Sequence, residues 1–271
     1  MLLFNNKWIP DEELRLPLSN RAFQYNDGFF ETIIVRDGNI SFWEAHQQRM
    51  QEAAEALKLQ LPPLLVTAEF RDKLLDLAAQ QKAFQYGRLK LKVWRAGGGI
   101  YTPQSNEADW LATGQAAAPQ SSEALQVGVC QDVYTFHSPF SHFKGPNALV
   151  YVQAGLEKMA RTKDDMLLLD RSGAVAEFIS SNLFWIKENT FFTPSLHTGC
   201  INGVLRRSIL SWCQQRHVQV QEVLANPTQL FQAEAVFAAN VTGLQKVQQV
   251  EEHIIPTEHP LLEQLKKNLF K

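Results

Sequence analysis

Hydrophobic and polar positions alternate with a period of two over much of the N-terminal part of the chain, which is typical of β-strands. The opening segment, MLLFNNKWI, predicts a hairpin closed by its two asparagines. FFETIIVRDGNISFW predicts two strands joined by Asp37 and Gly38. The period becomes helical in WEAHQQRMQEAAEALKL, and a second helix is predicted over about 66–80. RLKLKVWRA then returns to strand alternation and ends at Gly97 to Gly99.

The least periodic segment is TGQAAAPQSSEA, and within it residues 118–124 indicate a linker. It separates a predicted small N-terminal domain, residues 1–117, from a larger C-terminal domain, residues 125–271. In the second domain the patterns predict the strands LQVGVC, DMLLLD, NLFWI and AVFAAN, a hairpin in KENTFFT, and helices over about 146–161 and after Asn202. Because strands and helices are mixed in both parts, the sequence predicts a two-domain α+β protein.

Composition excludes several classes of function. Hydrophobic residues make up 45% of the chain and charged residues 20%, as in ordinary globular proteins. The net charge of −2 and the scattered basic residues argue against a nucleic-acid partner. The three cysteines form no CxxC pair, which argues against a disulfide framework or a metal site and favours a reducing compartment. The N-terminus lacks the pattern of a signal peptide, and no segment has the length of a membrane span, so we expect a cytoplasmic protein without a membrane partner.

Three charged residues lie in segments where charge is unusual. Lys144 enters an apolar helix in SHFKGPNALVYV, where neighbouring apolar side chains would lower the pKa of its amine. Glu177 lies among small and apolar residues in GAVAEFISSNLFW and would need a cationic partner if buried. Arg49 shares a helix face with His46, and an arginine that turns inward is suited to bind phosphate. Solvated surface positions remain the simpler interpretation of each residue taken alone.

Two glycine-containing segments could bind a phosphate group. Gly203 stands at the start of the helix predicted in GVLRRSIL, where free main-chain N–H groups attract anions. Thr242 and Gly243 follow a predicted strand and could donate hydrogen bonds or form a simple turn. A lysine, a carboxylate, an arginine and a phosphate-binding helix start together make up the set needed to hold pyridoxal 5'-phosphate (PLP).

In order and context these segments resemble the class IV aminotransferases, the fold-type IV PLP enzymes. The resemblance runs from RAFQYNDGFFET through SFWEAHQQRM, FKGPN, LLLDRSGAVAEFISSNLFW and TPSLHTGCINGVLRR to VFAANVTGLQKV. It implies a small N-terminal α/β domain, a larger mixed domain with a β-barrel-like core, and a homodimer that acts on a small amino substrate. The family includes branched-chain and D-amino-acid aminotransferases and 4-amino-4-deoxychorismate lyases.

The resemblance also implies a role for each candidate residue. Lys144 would be the catalytic lysine, which forms the Schiff base with PLP and later moves a proton. Glu177 would pair with the pyridine nitrogen, and Leu196 would lie near the ring. The phosphate would be bound by Arg49, by the helix start at Gly203, Val204 and Leu205, and by Thr242. The substrate side would be lined by Tyr25, Glu31, Thr32 and Arg95.

Short subgroup features favour a lyase over an aminotransferase. The spacing of three residues between Lys144 and Asn147, together with FETI, NLFW and the Gly199-Cys200 pair, suits the 4-amino-4-deoxychorismate lyases. A branched-chain or D-amino-acid aminotransferase remains the alternative, because these enzymes share the cofactor-holding residues. A PLP-binding protein without turnover is a remote third. A hydrolase using His46 or His137 with a serine is disfavoured because the chain contains no GxSxG.

The stretch FQYNDGFFETI is predicted to form a turn at the edge of the site. Asn26 stands where relatives of this family usually have glycine, and asparagine tolerates the left-handed backbone that such a turn needs. Alternation along the following strand sends Glu31 and Thr32 to opposite faces, so only one of them can point at the ligand.

Overall fold

A computed structural model of the protein describes residues 1–145 and 148–270, and the chain divides into two compact units. The first comprises Met1–Pro119 with residues 143–145, and the second comprises Gln120–His142 with residues 148–270. The prediction had placed Lys144 in the C-terminal domain. The structure groups it with the first unit, because the Phe30 N–H donates to the Lys144 carbonyl (2.9 Å) and Phe143 packs in the first core.

The first unit is built on a six-stranded sheet with the order β2-β1-β6-β5-β3-β4, all antiparallel. Both predicted hairpins are confirmed. The asparagines of the first have positive φ angles of 45° and 66°, as a two-residue turn requires. The strand Ala108–Ala116, whose C-terminal end overlaps the linker-like segment, was not predicted. The threonine, glycine and glutamine in this end give no strand alternation. The strands are β1 (Leu2–Phe4), β2 (Lys7–Ile9), β3 (Gly28–Arg36), β4 (Asn39–Ile40), β5 (Tyr86–Arg95) and β6 (Ala108–Ala116).

Three helices accompany this sheet, α1 (Arg21–Tyr25), α2 (Trp43–Leu57) and α3 (Ala68–Gln80). Both predicted longer helices are confirmed, and α3 begins after Thr67, whose hydroxyl accepts from the Phe70 N–H. The core lies between the sheet and α2 and α3, where Ile33, Met50 and Leu74 are fully buried. One face of β3 therefore packs against α2.

The Asp27-Gly28 pair was predicted to form a turn, and the structure shows a different kind of turn from a hairpin. It joins the end of α1 to the start of β3, and Asn26 supplies the left-handed residue with φ 50°. The predicted left-handed conformation of Asn26 is thus confirmed. Gly28 is required because a Cβ there would lie 2.1 Å from the Val93 carbonyl oxygen on β5.

The second unit contains a closed six-stranded barrel, so the predicted barrel-like core is confirmed. The order β10-β13-β14-β7-β8-β9 closes on itself because β9 pairs with β10 at Glu177 and Asn182. Two further strands extend the sheet beyond β10, and one short strand pairs with β14. The strands are β7 (Leu125–Val129), β8 (Asp165–Leu169), β9 (Val175–Phe178), β10 (Asn182–Lys187), β11 (Thr190–Pro194), β12 (Val220–Val223), β13 (Ala235–Asn240), β14 (Gly243–Val250) and β15 (His253–Ile254).

The helices of the second unit are α4 (Ala148–Ala160), α5 (Val204–Gln215) and α6 (Pro260–Leu269). The first two match predicted helices, although residues 146 and 147, on which the predicted start of α4 and the Lys144–Asn147 spacing depend, lie outside the described residues. Among residues 1–145 and 148–270, no helix is both long and apolar enough to cross a membrane.

Candidate active site

A buried carboxylate and two basic side chains form a polar cluster in the first unit. Alternation along β3 turns Glu31 toward α2, where His46 and Arg49 lie on one face at a spacing of three. Arg49 donates from Nε to Glu31 Oε1 (2.7 Å) and from Nη2 to Oε2 (2.5 Å), and His46 Nδ1 lies 2.6 Å from Oε2. All three residues are at most 1% exposed.

The charges of this cluster compensate one another. Burial by itself would raise the pKa of Glu31, but Arg49 and His46 outweigh it and hold the pKa at about 2. Burial lowers the pKa of His46, and the hydrogen bond that His46 donates to Glu31 offsets this only in part. Glu31 is therefore ionised at neutral pH and His46 is neutral.

Glu31 does not have the predicted place on the substrate side. Both of its oxygens are bonded to α2, so its carboxylate fixes the guanidinium of Arg49 instead of facing a ligand. Thr32 points to the other face of β3, where it lies half-buried opposite Lys90. Of the two residues, Thr32 is the one that could line a site on this face.

Lys144 lies beside the same face of β3. Its Nζ is 5.9 Å from the centroid of the Phe30 ring, and the Nζ of Lys90 is 4.9 Å from that ring. Lys92 stands opposite Phe30 in the β3–β5 register, and burial together with the charge of Lys90 lowers its pKa. The face that carries Lys144 therefore holds two further lysines next to an aromatic ring.

Tyr25 and Arg95 lie at the corner where α1 meets β3. The Tyr25 ring is exposed and lies 4.9 Å from the Arg21 guanidinium carbon, whereas Arg95 is buried. Arg95 donates to Asp27 (3.0 Å), to Asn106 and to the carbonyls that end α2. These hydrogen bonds connect Arg95 with Asp27 and with the end of α2, so they stabilise the fold. This differs from the predicted role of Arg95 on the substrate side. Tyr25 keeps an accessible side chain.

In the second unit, Glu177 is oriented at the closure of the barrel. Tyr151 on α4 donates its hydroxyl to Glu177 Oε1 (2.7 Å), and the Ile201 N–H donates to the same oxygen (3.1 Å). Asn182, paired with Glu177 across β9 and β10, donates to Oε2 (3.4 Å) and to the Ile201 carbonyl (2.7 Å). The negative charge acts on its surroundings, since burial and then Glu177 raise the pKa of Tyr151 well above its usual value.

The helix start that was predicted to bind phosphate is the N-terminus of α5, and the phosphate role itself stays a prediction. Gly203 is the N-cap residue of this helix and offers no side-chain cap, so the first N–H groups of the helix, at Val204 and Leu205, point outward at its positive end. A Cβ at Gly203 would lie 2.0 Å from Asn182 Oδ1, so the glycine lets Asn182 approach the turn. The buried Arg206 holds this turn by donating to Asn202 and to the Pro194 carbonyl.

Thr242 and Leu196 are less directly placed. The Thr242 hydroxyl donates within a local cluster to Gln120 (3.0 Å) and Asn240, and its N–H donates to Asn240 (2.8 Å). Leu196 begins a short 3₁₀ turn, Leu196–Thr198, that precedes the α5 start, and it is half-buried. The phosphate role of Thr242 and the ring contact of Leu196 stay predictions.

Several polar residues of these clusters were not predicted. They are Tyr151, Asn182, Arg206, Lys90 and Lys92. Asn182 and Arg206 lie within segments that carry the resemblance but were not singled out as site residues. The two lysines could have been found from the alternation in RLKLKVWRA, which places both on the same face as Phe30. Tyr151 and Arg206 act through contacts between elements distant in the chain, which a sequence pattern does not report.

Comparison with known proteins gives consistent results. Residues 28–250 match the family model of class IV amino-transferases. An aminodeoxychorismate lyase of Vibrio harveyi is 28% identical over 234 residues, which cover 84% of either chain. The crystal structure of 4-amino-4-deoxychorismate lyase from Pseudomonas aeruginosa superposes with a TM-score of 0.86 and 25% identity, covering 99% of both chains. A branched-chain aminotransferase from Thermoproteus uzoniensis, solved with norvaline, has a TM-score of 0.88 at 15% identity and covers 99% of this chain and 92% of its own.

Proposed function

Because the chain belongs to the class IV aminotransferase family of PLP-dependent enzymes, we propose that it is a 4-amino-4-deoxychorismate lyase. In this reaction the substrate loses pyruvate and becomes 4-aminobenzoate. The amine-bearing carbon of the substrate gives up a proton, and the C–O bond on the neighbouring carbon breaks.

Each unit, taken by itself, contains groups of the kind that bind PLP. Arg49 is aimed by Glu31, and the start of α5 offers the N–H groups of Val204 and Leu205, which are the groups that bind a phosphate monoester. Glu177 supplies a fixed carboxylate of the kind that pairs with a protonated pyridine nitrogen. When bound, the cofactor supplies an electron sink for the substrate carbon.

The chain's own residues then have distinct tasks. Lys144 Nζ would hold the cofactor, and after release it would take the proton from the amine-bearing carbon. The Phe30 ring lies beside this amine, with its centroid 5.9 Å from Nζ. Glu177 would keep the pyridine nitrogen protonated, and Tyr151 and the Ile201 N–H hold its carboxylate in place.

The observation that favours a lyase is the cationic face around Phe30. Lys90 and Lys92 stand on the same face of the sheet as Thr32 and Lys144 Nζ. Among the described residues neither lysine forms an ion pair with an acidic side chain, and Lys92 is half-buried. 4-Amino-4-deoxychorismate carries two carboxylates that such a face would attract, whereas a branched aliphatic side chain gains nothing from it.

An aminotransferase acting on branched-chain or D-amino acids remains the second candidate. It is supported by the fold shared with the Thermoproteus enzyme and by cofactor-holding residues that suit either reaction. A PLP-binding protein without turnover is the third, and the presence of both Lys144 and Glu177 counts against it.

The cofactor can be tested by absorbance. The purified protein is expected to show a visible PLP band that borohydride shifts, and Lys144→Ala is expected to lose the covalent bond. Lys267→Ala, at an exposed position on α6, is the matched control and should keep the band. A colourless protein that ignores added PLP would refute the proposal.

The reaction can be tested without a keto-acid acceptor. Incubation with 4-amino-4-deoxychorismate is expected to release pyruvate and 4-aminobenzoate in equal amounts. Lys90→Gln and Lys92→Gln should raise KM more than they lower kcat, because they attract the substrate without touching the reacting carbon. Product formation only after addition of an acceptor would identify an aminotransferase instead.

The homodimer implied by the family is a further part of the proposal. On α4 the side chains of Leu149, Val152, Leu156 and Met159 are all more than half exposed, and their spacing places them in one stripe. A second copy of the chain would cover such an uncharged stripe. Leu156→Glu should then lower the mass measured by light scattering, whereas Gln214→Glu, at an exposed position on α5, should leave it unchanged.

A further inference from the structure

His46 carries a buried ring nitrogen that the fold does not satisfy. Its side chain is fully buried, and Nδ1 is engaged by Glu31 Oε2 at 2.6 Å. Since Glu31 is ionised, Nδ1 must carry the proton, and Nε2 of the neutral ring is then an acceptor. Among residues 1–145 and 148–270, Nε2 has no hydrogen-bond partner. A buried polar atom left in this state is unfavourable, so a ligand is expected to complete it.

Arg49 indicates what that ligand is. Its Nε and Nη2 are occupied by Glu31, and Nη1 makes no hydrogen bond to the described residues, so it is the donor available to an anion. Arg49 Nη2 and His46 Nδ1 meet at the same oxygen of Glu31, at 2.5 and 2.6 Å. The imidazole and the guanidinium are therefore neighbours, and an anion at one will be close to the other.

The charges around His46 decide its protonation state. Glu31 on β3 is negative, and Arg49 on the same helix and Lys144 in the segment 143–145 are positive. Burial lowers the pKa of His46 in this environment, and the two cations lower it further against the opposing effect of Glu31. A dianion beside Arg49 would change the local balance from one net positive charge to one net negative charge, which favours a protonated ring.

We propose that His46 takes up a proton at Nε2 when a phosphate monoester binds beside Arg49, and that the resulting N–H donates to the phosphate. The proton comes from solvent, and no covalent bond forms or breaks. The proposal rests on the proposed function, which assigns Arg49 to the cofactor phosphate. His46 is thus a switchable phosphate ligand that is neutral in the empty site and cationic in the filled one.

Calorimetry measures this proton directly. Pyridoxamine 5'-phosphate is titrated into the full chain, freed of cofactor, at about pH 8 in two buffers that differ in ionisation enthalpy, because phosphate monoesters are already dianionic there. Pyridoxamine without its phosphate is titrated in the same way, because either ligand can take up a proton at its pyridine nitrogen beside Glu177. The expected result is a phosphate-dependent uptake, the excess of the first ligand over the second, of close to one proton for each ligand bound. Equal uptake with the two ligands would overturn the proposal.

Variants assign the proton to His46. His46→Asn keeps a donor in the place of Nδ1 for Glu31 but cannot take up a proton. It is expected to abolish the phosphate-dependent uptake and to weaken binding by about 10- to 100-fold, the size of one charge-assisted hydrogen bond. His197→Asn, at an exposed position, should change neither quantity. Phosphate-dependent uptake that persists in His46→Asn would contradict the proposal.

Nitrogen-15 NMR of the histidine rings provides an independent reading if His46→Asn does not fold. Addition of pyridoxamine 5'-phosphate to the wild-type chain should move the Nε2 resonance of one histidine from the neutral to the protonated range. An unchanged Nε2 signal in a saturated complex would refute the proposal. If the ligand does not bind at all, it is the proposed function that fails, and the two failures are thereby distinguished.

Discussion

Each unit of the protein buries a glutamate on a strand, but the two carboxylates have different partners. Glu31 on β3 is bonded to the guanidinium of Arg49 and to the ring of His46, so cationic and polar groups of α2 meet it in the core. Glu177 on β9 accepts hydrogen bonds from groups that include the Tyr151 hydroxyl, the Ile201 N–H and the Asn182 amide. Both side chains are at most 3% exposed.

The difference shows how partners decide what a buried charge can do. The charge of Glu31 is neutralised by its ion pair with Arg49. Glu31 therefore orders Arg49 and is not available to bind a ligand. The hydrogen bonds from Tyr151 and Ile201 hold the carboxylate of Glu177 in place, and its charge, after burial, raises the pKa values of Tyr151 and Cys200. The first glutamate is suited to positioning and the second to pairing with a cationic ring.

Separate replacement of each glutamate by glutamine should give the largest difference in stability between the two regions. Glu31→Gln leaves the buried Arg49 without its counter-charge, and we expect the free energy of unfolding to fall by about 3–5 kcal/mol. Glu177→Gln keeps an oxygen that the neutral donors can bind, so its loss should be about 1 kcal/mol or less. Activity should be lost in Glu177→Gln although the protein remains folded. Denaturant unfolding and steady-state assays measure both, and equal destabilisation would show that the contrast is wrong.

The second largest effect is expected when stability is measured at low pH. The folded pKa of Glu31, about 2, lies below its ordinary value of 4.5. A carboxylate with a lowered pKa stabilises the fold above its unfolded pKa, and that contribution is lost as the pH falls from 4.5 toward 2. The loss should reach about 3 kcal/mol in the wild-type chain. Glu31→Gln should lack this step in stability measured against pH, and an unchanged acid profile in the variant would contradict the assignment.

Tyr151→Phe tests whether the neutral donors matter to Glu177. The variant removes the hydroxyl that lies 2.7 Å from Glu177 Oε1 and keeps the ring volume. We expect a loss of about 1.5–3 kcal/mol in unfolding free energy, as for a hydrogen bond to a charged group, together with a lower kcat. Tyr134→Phe at a half-exposed position is the control. A fully active Tyr151→Phe enzyme would mean that the Ile201 and Asn182 bonds suffice.

Gly203→Ala should give a smaller effect at the start of α5. The new methyl group would lie 2.0 Å from Asn182 Oδ1, so Asn182 or the turn must shift, at a cost of about 1–3 kcal/mol. Phosphate affinity should fall as well, since the turn carries the Val204 and Leu205 N–H groups. Gly155→Ala on α4, where no atom lies within 4 Å, should instead stabilise the fold by about 0.5–1 kcal/mol. Thermal unfolding and calorimetry of pyridoxamine 5'-phosphate compare the two, and an unperturbed Gly203→Ala would exclude the close contact.

Local pattern was sufficient for most elements. The paired asparagines of the first hairpin, the helical period of α2 and the threonine before α3 each act over a few residues, so a prediction from sequence could find them. The strand β6 escaped prediction because its hydrophobic alternation stops at Thr113, and pairing with β5 holds the remainder extended. The Asp27-Gly28 pair was expected in a turn. Whether a strand or a helix precedes this turn depends on packing with other parts of the chain, which the two residues do not determine.

The candidate site also has some features that the sequence determined and others that depend on the tertiary structure. The sequence by itself determined the family, the fold-type IV architecture with its barrel and the PLP cofactor, because ordered motifs carry the lysine, the glutamate and the helix start. Only the tertiary structure decided that Glu31 binds Arg49 and His46, that Arg95 braces the end of α2, and that Tyr151 orients Glu177. The physical reason is that a side chain's partners come from elements far apart in the chain, and burial makes a hydrogen bond between them obligatory once the fold brings them together.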